Sequence, residues 1–465
     1  LPRGPQALSR EEVAADQRSR LFAAMIELLN EHGLAGVRIS ELVARAGISR
    51  RSFYEHFHNK EECLLAAFDE SRERLERRMI EAYDPKADTR GQVRALVGAL
   101  FDATVERPAA ARLVCIDISA AGAEGVARWA AGAARFELAL STVFAQAPGE
   151  GTLPQPVAKA VVGALRKMVY ARALTAASPR ALRAQLDRVL DDLVEWIAAY
   201  YPSPPEVPVQ PRRMRGSRRA GWRLGGRAPG TLVTLSPGGL PGLSRGLPTG
   251  DHNLPRGFVE HNQRERIFDA IANLTAAHGY PALGLEDIAA QAAISLQTFY
   301  GHFESKEEAF IATYEVGHAR AQTVCAEAFA AQRDWIAGVR AGIAALFEFL
   351  AMEPAYAHLA CVDIVLAFPH LTERTQRSTS SYAELLDFGI ASYRRAGGGN
   401  GAAPRGGPPM VASEAIVGGI FELMYDYVAR GLTERLPELA GHATYIALTP
   451  FLGAERAAQA AFPKY

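Results

Sequence analysis

The chain has 465 residues, 49% hydrophobic and 22% charged, with 51 basic residues balanced by 51 acidic ones. That length exceeds what one hydrophobic core organises, so two or more domains are expected. Zero net charge leaves nucleic acid open as a partner, because only the local distribution of charge decides that. Cys63, Cys115, Cys325 and Cys361 form no CxxC and no paired His/Cys ligand spacing, which argues against a zinc module or disulfide scaffold and for a reducing, cytosolic setting. No stretch reaches 18 uncharged apolar residues and the N-terminus lacks a basic-then-apolar order, so neither membrane spanning nor secretion is expected.

In chain order, Arg18–His32 reads as an amphipathic helix with Leu21, Phe22, Met25, Leu28 and Leu29 on one face, ended by Gly33 as a left-handed cap. Ser40–Ala46 forms a second, short helix. Gly47 supplies the positive φ of a tight turn, and Ser49 caps a third helix through Phe57, giving a helix-turn-helix. Phe53 and Phe57, at i and i+4, share the buried face and leave Arg50, Arg51, Ser52 and Tyr54 outward. After a fourth helix, "GQVRALVGALFDATVERPAAARLVCIDISAAG" reads as two helices broken at Pro108, and Val157–Thr175 and Leu182–Tyr200 close the first half. Residues 202–257 hold about 11 Gly and 10 Pro with almost no helical period, and about 9 Arg against 2 acidic residues. They read as a flexible Arg-rich linker, either an electrostatic arm for nucleic acid or a solvated tether.

The second half repeats the first. A constant shift of about 246 lays Arg264–Glu308 on Arg18–Glu62 with roughly 18 of 45 residues identical and no gap. Pro108, Cys115 and Asp117 fall on Pro354, Cys361 and Asp363. Both halves are rich in Ala, Leu, Glu and Arg at helical spacing, and no alternating run marks a strand, so the fold class is all-α. The expected domains are 1–62 and 258–308 as helix-turn-helix heads, and 63–201 and 309–465 as helical ligand-binding and dimerising domains. Ala412–Leu432 and Leu436–Leu448 close the second half, with Pro450 interrupting its last helix.

The strings "ISRRSFYEHFHNKEECL" and "ISLQTFYGHFESKEEAF" resemble the recognition helix and start of helix four in the TetR family of transcriptional repressors. The resemblance covers about 45 residues per half directly. It implies that Arg50, Arg51 and Ser52, and Leu296, Gln297 and Thr298, face base edges. It further implies that Tyr54, His56 and Lys60, and Tyr300, His302 and Lys306, contact phosphate. Arg can bond guanine bidentately and Gln adenine. The resemblance also implies a small-molecule pocket in each half, with Phe101, Val105, Ile116, Trp129, Phe136 and Met168, and Phe347, Leu350, Ile364 and Tyr425, as inward-facing candidates. For each of these residues taken singly, core packing is the better explanation of such an apolar stripe.

The copies depart from one another and from the family pattern. Residues 18–60 carry about 7 basic and 4 acidic side chains, whereas residues 264–306 carry about 3 and 5. Ala293 stands where Gly47 does, at an expected cost on the order of 1 kcal/mol if held at positive φ. Arg38 and Gly284 replace the usual hydroxyl cap before the second helix, leaving Arg38 a candidate phosphate contact. The expected molecule is a cytoplasmic, ligand-responsive regulator, a repressor on double-stranded operator DNA. Its unlike heads imply an asymmetric operator, and an unidentified small apolar effector releases it. No metal, cofactor or membrane is involved, and the two halves form an intramolecular pseudo-dimer, with a dimer of chains as the other arrangement. An alternative is a sensor or sequestering protein with one working head, acting through partners. No nucleophile-base spacing, metal motif or phosphate-cradling loop points to an enzyme.

Overall fold

Ser9 opens the first helix with a capping box: its hydroxyl accepts from Glu12 N–H and the Glu12 carboxylate accepts from Ser9 N–H, an arrangement worth about 1 kcal/mol. The structure, a computed structural model, describes residues 9–115, 117–146, 153–200, 255–364, 380–384, 386–387, 390–391 and 412–463. Its first unit takes in Leu1–Gly149 and Ala164–Ala198; its second takes in Glu150–Gly163, Ala199–Pro408 and Ala412–Tyr465. Among the described residues there is helix and no strand. Ile116, the break Gly397–Pro409 and all but the last three linker positions lie outside the described residues.

The first unit runs α1 Arg10–Gly36, α2 Ile39–Ala46, α3 Arg50–His56, α4 Lys60–Ala82, α5 Thr89–Glu106, α6 Pro108–Cys115, a 3-10 turn Asp117–Ala121, α7 Gly122–Ala145, α8 Gln155–Thr175 and α9 Pro179–Ala198. Helix α1 begins eight residues before the amphipathic stretch suggested, because Ser9 caps it. Gly33 does not act as a left-handed cap. It takes φ 63, ψ 167, a kink after which one more helical turn follows. Leu21, Met25, Leu28, Leu42, Phe53, Leu64 and Phe68 form the head's core, which continues into Leu113 and Ile118 of the following domain. Pro108 separates α5 from α6 as expected, since its ring cannot continue the preceding helix. Helices α5 and α9 run antiparallel, tied by Arg90 to Glu195 (3.0 Å), Arg183 to Asp102 (2.6 Å) and Arg94 to Asp191.

The second unit runs α10 Arg256–His278, α11 Leu285–Ala292, α12 Leu296–Tyr300, α13 Lys306–Ala330, α14 Trp335–Met352, α15 Pro354–His358, a π-helical turn Leu359–Asp363, α16 Ala412–Ala429, a 3-10 stretch Thr433–Leu439, α17 Ala440–Leu452 and α18 Ala454–Ala461. Helix α10 starts inside the expected linker, at Arg256. Pro450 does not end α17. The helix continues to Leu452 and breaks at Gly453, whose φ of 77 only glycine adopts freely. Helix α14 is 18 residues long with mean hydropathy 1.5, long and apolar enough to cross a membrane. It carries Arg340 and Glu348 and is half buried in this unit's core.

Helix α8 divides at residue 163, its first turns belonging to the second unit. There Lys159 Nζ meets Asp426 Oδ1 at 3.0 Å. Gly163 and Gly419 let α8 and α16 touch closely: a Cβ on Gly163 would lie 2.2 Å from Glu422 Cγ, and one on Gly419 would lie 2.8 Å from the Ala160 carbonyl oxygen. In the same unit Tyr200 donates its hydroxyl to the Ile446 carbonyl at 3.0 Å.

Candidate nucleic-acid interface

In the first head Gly47 adopts φ 63, ψ 39, the left-handed conformation the tight turn requires. Ser49 then caps α3, accepting from Ser52 N–H at 3.0 Å. Phe53 and Phe57 are buried, their rings 6.0 Å apart and Phe57 a further 6.0 Å from Phe22. Burying those two rings aims the opposite face outward. Tyr54 is 48% exposed, Arg50 lies with its guanidinium 5.9 Å above the Tyr54 ring, and Arg51 reaches free of the surface beside Glu55 at 3.2 Å. Ser52 is half-buried and its hydroxyl lies 2.9 Å from Ser49 Oγ. It therefore belongs to the cap rather than to the protruding face.

Three ties hold α3 and the segments flanking it to α1 and the residue that follows it. Arg20 Nη1 donates to the Ala46 carbonyl at 2.8 Å and to the Gly47 carbonyl at 3.0 Å, while Asp16 fixes the same guanidinium at 2.9 Å. His56 Nε2 sits 2.9 Å from Gln17 Oε1. Lys60 Nζ donates to the carbonyls of Leu34 (2.8 Å) and Val37 (3.1 Å), with Ala35 at 3.5 Å. An ammonium has three donors, and those of Lys60, for which the resemblance implies a phosphate contact, are directed at the carbonyls around the end of α1. Arg38, at the start of α2, is exposed and makes no capping bond with its side chain.

The second head repeats this frame at the same shift. Arg266 Nη1 donates to the Ala293 carbonyl at 3.2 Å, His302 meets Gln263 at 2.9 Å, and Lys306 donates to the Leu283 carbonyl at 2.8 Å and the Tyr280 carbonyl at 3.4 Å. Arg264 stacks on Phe268 and Phe303 as Arg18 does on Phe22 and Phe57. Three differences stand out. Ala293 is held at φ 51, ψ 51, the one described non-glycine residue at positive φ. Helix α12 spans five residues against seven in α3. Its outer face offers Leu296, Gln297 and Tyr300, exposed but without a cation, and Thr298 is tied to Ser295 at 2.9 Å. Burial and the neighbouring Arg264 hold His302 below the usual imidazole range, which favours the neutral ring.

The pocket candidates scatter. Phe101, Met168, Phe347, Leu350 and Ile364 are buried in helix packing; Val105, Trp129, Phe136 and Tyr425 are half-buried. Trp129 packs against the core of the first head and lies 4.5 Å beneath the Arg166 guanidinium. Glu31, His32 and Glu41 bring ligand atoms within 4.8 Å at the surface, but Arg45 already pairs with Glu31 there at 2.6 Å. The clamps Arg20 and Arg266 are identical at the shift of 246, and that identity is the one sequence signal they carry. Gln17 and Gln263 are likewise identical at that shift.

The profile described as "Bacterial regulatory proteins, tetR family" matches residues 21–67 and again 267–313. The chain carries two TetR-family DNA-binding domains. Among curated relatives, the HTH-type transcriptional regulator CymR of Pseudomonas putida is 38% identical over 65 residues, 14% of this chain and 32% of that protein. The HTH-type transcriptional activator FasR of Mycolicibacterium smegmatis is 31% identical over 87 residues, 19% of this chain and 40% of that protein. The chain thus spans well under half the length of either relative. The fatty acid degradation regulator FadR from Bacillus halodurans aligns with 40% of this chain and 94% of its own at 19% identity, with a TM-score of 0.36.

Proposed function

We propose that the chain is a ligand-responsive transcriptional regulator of the cytoplasm, acting as a repressor, whose two unlike heads bind one asymmetric DNA operator and are released by a small effector. The observation that carries this reading is the pair of exposed recognition faces on one repeated frame: Arg50, Arg51 and Tyr54 in the first head, Leu296, Gln297 and Tyr300 in the second. Arg50 and Arg51 read guanine edges, Gln297 reads adenine, and Tyr54, Tyr300 and Arg38 touch phosphate. His56 and His302, with Lys60 and Lys306, serve chiefly to hold the frame. The participation of α8 in the second unit, through Lys159, Asp426, Gly163 and Gly419, supports an intramolecular pseudo-dimer. Selection from randomised DNA tests the reading: two different half-sites are expected, and a perfect palindrome would sink the asymmetric operator.

A second reading has observations of its own. The α12 face lacks a cation, Leu296 protrudes at its start with 38% exposure, and the head carries more acidic than basic residues. On this reading only the first head grips DNA and the rest senses. Replacing Gln297 with Ala separates the two, since unlike heads predict a loss confined to one half-site and a single working head predicts none.

A further inference from the structure

Under the shift of 246 the copies stay aligned beyond the heads: Gln322 and Ser381 bond where Glu76 and Arg135 pair, and His358 and Asp363 meet at 2.6 Å where Arg112 and Asp117 stand at 3.7 Å. Against that alignment one place differs in kind. In the first unit Arg72 on α4 is buried, pairs with Glu76 and packs flat against Gly132, where a Cβ would come within 2.8 Å of Arg72 Cδ. The second unit has His318 there. Its Nε2 is buried and has no hydrogen-bond partner among the described residues.

The surroundings of His318 are aromatic. Tyr314 stacks on it with centroids 6.0 Å apart and planes 11° apart, and Tyr382 meets it edge-on at 5.4 Å and 88°. Tyr356 lies under Tyr314, its hydroxyl 3.4 Å from the Tyr314 carbonyl. Room for that ring comes from Gly317, where a Cβ would lie 2.0 Å from the Tyr356 ring. The first unit has Phe68, Ser71, Ala110 and Phe136 at the matching positions. The stretch carrying Cys361, Leu359–Asp363, is a π-helical turn, whereas the matching stretch of the first unit is α-helix up to Cys115. Such turns are rare and concentrate at functional sites. Burial lowers the His318 pKa to about 4, so the ring is neutral. The nearby cation Arg320 is engaged by Glu265 at 2.6 Å.

Resting on the regulator reading above, we propose that the second unit alone receives the effector, an uncharged aromatic molecule carrying a hydroxyl, with that hydroxyl bonded to His318 Nε2 beside Tyr314 and Tyr382. A hydroxyl both donates and accepts, so it satisfies the nitrogen in either tautomer. A buried polar atom left unpaired is costly, and the first unit has already closed the matching position with an ion pair. The two copies thus divide the work, the basic first head reading DNA and the second helical domain sensing.

Calorimetry on the full chain without DNA tests this with phenol, toluene and benzoate as probes. Phenol is expected to bind once per chain and about tenfold more tightly than toluene, with benzoate weaker still. His318→Phe should bring phenol down to the toluene level, while His318→Gln, which keeps a hydrogen-bonding group, should retain most of the preference; thermal melts confirm that both fold. Arg72→Met should leave one site per chain. No phenol binding, equal affinity for phenol and toluene, an unchanged preference in His318→Phe, or two sites per chain would each overturn the proposal. Gel shifts without any probe test the regulator reading separately, so failure of one does not masquerade as failure of the other.

Discussion

Ala293 shows how a single side chain separates two otherwise matched heads. The turn between α11 and α12 demands the left-handed region, which Gly47 enters freely in the first copy and Ala293 enters against its Cβ. Replacing Ala293 with Gly should stabilise the second unit by about 1 kcal/mol, read as a higher denaturant midpoint, and Gly47→Ala should cost the first head a similar amount. His318 is the other telling residue. The unfolded chain takes up a proton near pH 6.5, whereas the folded ring resists until about 4. Stability from this group is therefore full above about pH 6.5 and drains away as pH falls toward the folded pKa, by an upper bound of roughly 3 kcal/mol. Urea midpoints of the wild type and His318→Gln at about pH 7.5 and about pH 4.5 check the sign: the wild type should lose more stability on acidification.

At the scale of elements, the recognition helices are too short to be stable alone, and their direction comes from what holds them. Arg20 ties the α2–α3 turn to α1, and Gln17 with His56 ties the far end of α3 to the same helix. Arg20→Met keeps the aliphatic stem but removes the clamp. Operator affinity should fall about tenfold while far-UV circular dichroism stays unchanged, and an unaltered affinity would show that the clamp does not position α3. The corresponding Arg266→Met has less to lose, because Asn262 stands where Asp16 steadies Arg20. Burial also lowers the pKa of Arg266.

For the whole molecule, the balance of 51 basic and 51 acidic residues conceals unequal ends. Arg50 and Arg51 stand on the first recognition helix, and no cation stands on the second. Operator affinity should therefore fall steeply between about 50 and about 200 mM salt. Arg50→Ala with Arg51→Ala should flatten that dependence, while Gln297→Ala leaves the slope unchanged and relaxes one half-site. Light scattering gives the count of chains: a mass near 50.2 kDa supports a pseudo-dimer within one chain, and twice that value puts four heads in the complex.

By itself the sequence determined the all-helical class, the duplication and the two helix-turn-helix heads. Each of those rests on spacing within a short stretch: Phe53 and Phe57 at i and i+4, a glycine at the turn, a serine at the cap. Spacing could not show which polar ends meet across helices. The motif places Lys60 at the start of α4, and only the packing shows the carbonyls of Leu34 and Val37 against its ammonium. Nothing in the local spacing around Arg20 marks the turn carbonyls that its guanidinium meets. Pro450 looked like a break and was carried inside α17. His318 gave no signal at all, because an unmet nitrogen is defined by neighbours on three separate segments, α13, α15 and the stretch holding Tyr382. Local periodicity fixes which face of a helix is apolar; only packing decides which hydrogen bonds are made and which are left open.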